Sequence, residues 1–198
     1  MNSRANARPE PLIRRVKENL VFESPWVRVF HDEVEFVGEN RRGHYSWIRP
    51  YGETGGIMVI PRLPDGRLML IQLFRYPAER FSWEFPAGLR EEGESPETTA
   101  AREMVEETGI TPAKVVDLGW FYPDSGLIKT NASILLAELT RDAIDNVKLQ
   151  AEEHIVDYRW LSLAEVYRMI ASNELFDGIS MIALAKYAAY VASEPAVR

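Results

Sequence analysis

The chain has 198 residues, 46% hydrophobic and 27% charged, which is enough for one domain with a sizeable core. Its net charge of −7 argues against a general binder of nucleic acid or of acidic membranes, so a polyanionic substrate would need local arginines and a metal to hold it. There is no cysteine, which excludes disulfides and thiolate metal sites and fits a reducing cytoplasm.

No apolar run approaches the ~20 residues that span a bilayer, and the N-terminus lacks the apolar core of a secretory signal. Residues 1–17 are polar and basic, with Arg4, Arg8, Arg14, Arg15 and Lys17, and read as a solvated tail. Residues 18–52 alternate. Trp26–Phe30, Val34–Val37 and His44–Ile48 are expected strands, with a turn at Gly38-Glu39-Asn40. Such a sheet is too small to bury both its faces and should pack on the rest of the chain or on a second subunit. His31 and His44 have no metal-like partner in sequence and read as structural or surface residues.

Residues 53–198 read as one domain. Ile57–Ile60 and Leu68–Phe74 flank Pro64-Asp65-Gly66 and predict a hairpin with buried faces. Arg75-Tyr76-Pro77 ends it, and Trp83–Ala87 leads into an acidic, glycine-rich loop. A helix should follow, with Ser95 as N-cap, Pro96 at its first position and Gly109 closing it. Strands are expected at Val115–Tyr122, Ser133–Leu139 and Ile155–Leu161. Two helices close the chain, one from Ser162 with a capping box to Glu165, the other from Ser180 to Ala192. Mixed strands with interspersed helices suggest an α+β fold or a mixed-sheet sandwich.

Glu103, Glu106 and Glu107 fall at i, i+3 and i+4 and so share one side of their helix. Like charges at this spacing oppose the helix, and Arg102 can neutralise only part of them. A solvated acidic face is one reading. A site for a hard divalent cation, Mg²⁺ or Mn²⁺, is the other.

The stretch from Gly88 to Ile110 resembles the signature of the Nudix hydrolases. Gly88, Glu94, Arg102, Glu103, Glu106, Glu107, Gly109 and Ile110 stand at its fixed positions, and Met104 replaces the usual Leu, Ile or Val. The resemblance implies an α/β/α sandwich with a mixed sheet, in addition to the small N-terminal antiparallel sheet. Leu70–Pro77 and Trp83–Gly88 are similar to the ADP-ribose pyrophosphatase branch, which hydrolyses nucleoside diphosphate sugars. That branch implies a homodimer built through the N-terminal strands. The implied reaction is metal-assisted attack of water on a diphosphate, giving AMP and ribose 5-phosphate from ADP-ribose. GDP-mannose or another nucleotide sugar is the alternative substrate, and a non-catalytic nucleotide-binding module is a third reading.

By position in the signature, Glu103 and Glu107 are the implied metal ligands, with Glu106 a third candidate and the carbonyl of Ala87 a further one. Arg102 is expected to orient Glu94 or Glu106. Gly88 allows either a close backbone approach or a positive φ. Arg75 is the implied substrate arginine, Arg49 a lesser phosphate or cross-subunit candidate, and Glu84 either binds substrate or holds its loop. The general base is expected from the loop before the last strand, Glu153 ahead of Glu152, while His154 beside them reads as loop surface. Trp47, Tyr51, Phe74 and Tyr122 are candidates for stacking on a base, with core packing the alternative for each. One position departs from the branch. Ser125 in Pro123-Asp124-Ser125-Gly126 stands where a second proline accompanies ADP-ribose preference.

Overall fold

A computed structural model describes residues 10–50, 55–149 and 154–193. They fall in two compact units. One comprises the chain to Glu53 together with Asp124–Thr130, and the other Thr54–Pro123 together with the chain from Asn131.

The smaller unit is a four-stranded antiparallel sheet of β1 (Ile13–Lys17), β2 (Leu20–Glu23), β3 (Val27–Phe36) and β4 (Arg41–Pro50). β3 is its hub. β4 pairs along its whole length, while β1 and β2 share its other edge, from Ile13 opposite Phe36 to Glu23 opposite Arg28. Two expectations are corrected here. The polar stretch read as a tail contributes a strand at Ile13–Lys17, because the backbone groups on the β3 edge need partners. The two strands expected at Trp26–Phe30 and Val34–Val37 are one, because His31-Asp32-Glu33 pairs with Ser46, Tyr45 and His44 of β4 without a break. Asp32 in the middle is buried, and its carboxylate accepts from the Trp47 indole N–H at 2.7 Å and the Asn19 backbone N–H at 3.0 Å. Trp47 in turn stacks on Phe30, with ring centroids 3.9 Å apart.

The segment Asp124–Thr130 extends this sheet. The Ile48 N–H donates to the Leu127 carbonyl and the Lys129 N–H to the Ile48 carbonyl, both at 2.8 Å. The Tyr45 hydroxyl donates to the Gly126 carbonyl at 3.0 Å.

The larger unit holds a seven-stranded mixed sheet: β5 (Gly56–Arg62), β6 (Leu68–Arg75), β7 (Arg80–Glu84), β8 (Ala87–Leu89), β9 (Lys114–Phe121), β10 (Ala132–Glu138) and β11 (Ile155–Leu161). Its helices are α1 (Pro96–Thr108), α2 (Leu163–Ala171) and α3 (Gly178–Ser193). The apolar run of β5 alternates between two cores. Met58 and Ile60 face a cluster with Val166 and Met169 of α2 and Leu184 of α3, whereas Ile57 and Val59 face one with Ala100 and Met104 of α1. Both faces of the sheet are therefore covered, which is why its central strands carry no polar alternation. The α/β/α layering and the mixed sheet match the expected fold class.

The predicted hairpin is present, but only its turn end is paired. Arg62 lies opposite Leu68, after which β5 and β6 diverge. The returning chain fills the gap: β7 pairs with β6, β8 pairs with β5, and the Val59 N–H donates to the Pro86 carbonyl at 2.8 Å. This insertion delivers Glu84, Ala87 and Gly88 to the mouth of the opened hairpin, beneath the start of the acidic loop.

Candidate active site

α1 forms where its local signals direct it. Ser95 accepts a hydrogen bond from the Thr98 N–H, Pro96 opens the first turn, and Gly109 closes the helix at φ 71° with its N–H on the Val105 carbonyl. Thr99, Ala100, Glu103, Met104, Glu107 and Thr108 make one buried stripe along it. Glu103 and Glu107 thus share the sheet-facing side one turn apart, at 8% and 6% exposure. Glu106 does not join them, and its side chain is 44% exposed on the helix flank. The expectation of three carboxylates in one setting becomes two buried and one on the rim.

Arg102 ties this face to the loop. Its Nε and Nη2 donate to the two oxygens of Glu94, each at 3.0 Å. Its Nη1 donates to Glu103 at 2.9 Å and to Glu106 at 2.8 Å, and Nη2 also reaches the Leu89 carbonyl at 3.0 Å. Arg102 therefore serves both expected partners, Glu94 and Glu106, and Glu103 as well. Glu94 also accepts from the Glu91 backbone N–H and the Thr99 hydroxyl. The Arg102 guanidinium, then these two donors, hold its carboxyl down at about 2, and Glu94 chiefly raises the affinity of Arg102 for its proton.

Gly88 resolves its two alternatives in favour of close approach. A Cβ built there would fall on the Glu103 carboxylate, and Gly88 is not among the glycines with positive φ. The backbone at residues 87–88 and a buried carboxylate are thus held together in a cradle that any side chain would fill. Four carboxylates, Glu94, Glu103, Glu106 and Glu107, belong to this loop and helix face, while Arg102 supplies one positive charge to three of them. Oxygen donors in that excess fit a hard divalent cation. In this conformation Glu103 and Glu106 turn to Arg102, and among the described residues no three His, Asp or Glu side chains are grouped as a metal site.

Arg75 and Glu84 form a second constellation. Glu84 is 2% exposed at the end of β7, and Arg75 ends β6. The arginine Nε donates to Oε1 at 2.9 Å and its Nη2 to Oε2 at 2.5 Å, a bidentate pair that raises the arginine pKa further. Beside them a cavity of about 240 Å³ is lined by Phe74, Arg75, Ala87, Glu107, His154 and Ile155. It brings together the predicted Arg75, Ala87 and Glu107. It also includes His154, which the sequence reading left on the loop surface. The available signal was adjacency to β11, since Ile155 pairs with Leu73 two residues before Arg75.

Other predicted residues lie elsewhere. Arg49 belongs to the smaller unit, opposite Arg28 on β3, with its guanidinium 5.8 Å from the centre of the Phe30 ring. Trp47 is committed to the core of that unit. Of the other aromatic candidates, Phe74 is half-exposed at the cavity, and Tyr122 is exposed and edge-on to Trp120. Glu152, Glu153 and Tyr51 fall outside the described residues.

The NUDIX domain family matches residues 53–179, which span the opened hairpin, the acidic loop, α1 and the cavity wall. The chain belongs to the Nudix family.

Within this Nudix hydrolase, Met104 at the substituted position of the signature is fully buried under the sheet, so the exchange is accommodated in the core. The ADP-ribose pyrophosphatase of Bacillus subtilis (strain 168) is 31% identical, over 86% of this chain and 90% of its own. The CMP-5'-(N-acetyl-N-hydroxy-3-aminopropyl)phosphonate hydrolase of Streptomyces rubellomurinus (strain ATCC 31215) is 29% identical over 79% of this chain and 72% of its own. A crystal structure of an ADP compounds hydrolase has the same fold, with a TM-score of 0.77 at 19% identity, covering 92% of this chain and 95% of that one. Among the described residues no helix is long and apolar enough to cross a membrane.

Proposed function

We propose that this Nudix protein hydrolyses the diphosphate bond of a nucleoside diphosphate sugar, ADP-ribose first among them, giving AMP and ribose 5-phosphate, with Mg²⁺ or Mn²⁺ bound. The observation that carries the reading is the buried Glu103–Glu107 pair under the Gly88 cradle, next to a cavity walled by a clamped arginine. The 31%-identical ADP-ribose pyrophosphatase supports the substrate class.

Glu103, Glu107, the Ala87 carbonyl and, on the rim, Glu106 would hold the cation. When bound, it polarises the phosphoryl oxygens and acidifies the attacking water. Arg102 keeps Glu103 and Glu106 oriented and offsets their repulsion. Glu84 fixes Arg75 through the Nε–Nη2 edge, which leaves the Nη1 edge to meet a phosphate oxygen. Water adds to one phosphorus, the bond from that phosphorus to the bridging oxygen breaks, and the water proton passes to Glu153 or, failing it, Glu152. Retention of every signature carboxylate favours hydrolysis over a non-catalytic binding module.

The alternative substrate, GDP-mannose or another nucleotide sugar, rests on Ser125. The Gly126 N–H donates to the Asp124 carboxylate at 2.9 Å, so a side-chain turn orders this loop without the second proline. The 29%-identical relative named as a hydrolase of a CMP-5'-phosphonate supports a nucleotide other than ADP. A homodimer is the proposed assembly, supported by exposed Leu20, Val21, Phe22 and Trp26 on the smaller unit. The cytoplasm is the proposed compartment.

The test is turnover across a panel of nucleotide sugars with Mg²⁺, with and without chelator. Fastest, chelator-sensitive release of AMP from ADP-ribose is expected. Faster cleavage of a GDP or CMP compound would move the substrate to the alternative, and cleavage of none would overturn the reading.

A further inference from the structure

The buried face of α3 carries a serine where packing alone would favour an alanine. Ser180 shares that face with Ala183, Leu184 and Tyr187 and is fully buried. Alanine is the better helix former and brings no hydroxyl to desolvate. The serine oxygen has a specific partner instead. The Phe85 backbone N–H donates to Ser180 Oγ at 3.1 Å, a contact between residues 95 positions apart.

Phe85 needs that partner because of where the chain changes strands. β7 ends at Glu84, paired with β6, and β8 begins at Ala87, paired with β5. Phe85 and Pro86 are the whole bridge between them. Proline has no N–H, so the bridge has one backbone donor, and it is buried with Phe85. The far end of the bridge is fixed by the Val59 N–H on the Pro86 carbonyl. Ser180 fixes the near end. Ser180 is itself held by Asp177, whose carboxylate caps α3 by accepting the Ser180 N–H at 2.7 Å. On one side of the bridge is Glu84, the clamp on Arg75. On the other are Ala87 and Gly88, the cradle against Glu103.

We propose that Ser180 is a positioning residue for the hydrolysis: by holding the Phe85 N–H it sets the Gly88 cradle relative to the Arg75–Glu84 clamp. The inference rests on the reading of the site given under the proposed function. Both ends of the bridge belong to paired strands, so loss of this one bond changes the spacing of two groups and leaves each strand in place. Such a change acts on the reacting geometry more than on substrate affinity, so it lowers kcat and leaves KM nearly unchanged. It also leaves a buried N–H without its acceptor, which opens the bridge to water.

The experiment compares wild type, Ser180→Ala and Ala183→Gly, the last a change on the same buried face that weakens α3 and keeps Ser180. Steady-state kinetics on ADP-ribose and Tm are measured, together with the exchange rate of the Phe85 amide by NMR. Ser180→Ala should lower kcat about tenfold, keep KM within about twofold of wild type, and speed exchange at Phe85 about tenfold. Ala183→Gly should lower Tm and keep kcat, with a smaller change in exchange at Phe85. A kcat that falls with Tm in both variants alike, or falls in neither, makes Ser180 a packing residue and overturns the proposal. Unchanged exchange at Phe85 in Ser180→Ala overturns it as well. If wild type cleaves no nucleotide sugar, the functional reading itself fails and the positioning role falls with it, whatever Ser180→Ala does to the exchange rate.

Discussion

Two arginines of the larger unit are used in opposite ways. Arg102 spends Nε and both Nη groups on Glu94, Glu103, Glu106 and the Leu89 carbonyl, with its side chain 24% exposed. Arg75 commits one edge to a single buried carboxylate, Glu84, and is 47% exposed at the cavity. The first is a closed network that holds carboxylates in place. The second is a fixed cation with a face left over. In the proposed function the difference separates a residue that shapes the site from one that would meet a phosphate, although both are arginines beside glutamates.

The largest effect is expected where the two regions meet. Gly88→Ala would drive a methyl group into the Glu103 carboxylate and disturb the backbone next to Ala87. Activity on ADP-ribose should fall by roughly a thousandfold, since a misplacement of about 1 Å already costs about a hundredfold. The measurement is kcat/KM beside a circular dichroism spectrum, and near-wild-type activity would mean that the cradle has no role.

Arg75→Ala comes next. It removes the cation proposed to meet a phosphate, and kcat/KM should drop about a hundredfold. It also leaves Glu84 buried without its partner, so the Arg75→Ala, Glu84→Gln double variant should recover thermal stability but not activity. Recovery of both would make the pair purely structural and erase the contrast with Arg102.

Arg102→Lys should be milder, because a lysine keeps the charge and loses the fork. About a tenfold loss of activity, with a lowered Tm, is expected. A larger loss than that of Arg75→Ala would invert the comparison.

The smallest effect is a pH signature. Glu94 titrates at about 2 in the fold against 4.5 ordinarily, so its contribution to stability is present above about pH 4.5 and is lost as the pH falls toward 2. Urea unfolding over that range should be steeper in pH for wild type than for Glu94→Gln. Parallel curves would show that Arg102 does not hold Glu94.

Legibility in the sequence followed the range of the interaction. The caps of α1 at Ser95, Pro96 and Gly109, and the capping box of Ser162 with Glu165, are local signals, and the helices form there. The opening of β5 from β6 was not legible, because it depends on β7 and β8, whose pairing is set by the whole sheet. The continuity of β3 through Asp32 was not legible either. A carboxylate in an alternating strand looks like a break until Trp47 and Asn19 supply its partners. At the site, helical spacing gave the Glu103–Glu107 pair but not the displacement of Glu106 to the rim. Nothing local marks Glu84 as the clamp on Arg75, since they are nine residues apart on paired strands. His154 is exposed on its loop, as its setting after acidic residues suggests, and its place at the cavity comes from the pairing of Ile155 with Leu73.

The central claim is that the buried carboxylates of α1 carry the hydrolysis. Its most direct test is AMP release from ADP-ribose by Glu107→Gln, a change that keeps the shape of the side chain and removes its charge. A loss on the order of a hundredfold or more, in a protein with the wild-type circular dichroism spectrum, is the predicted result. Equal release by the variant and wild type would contradict it.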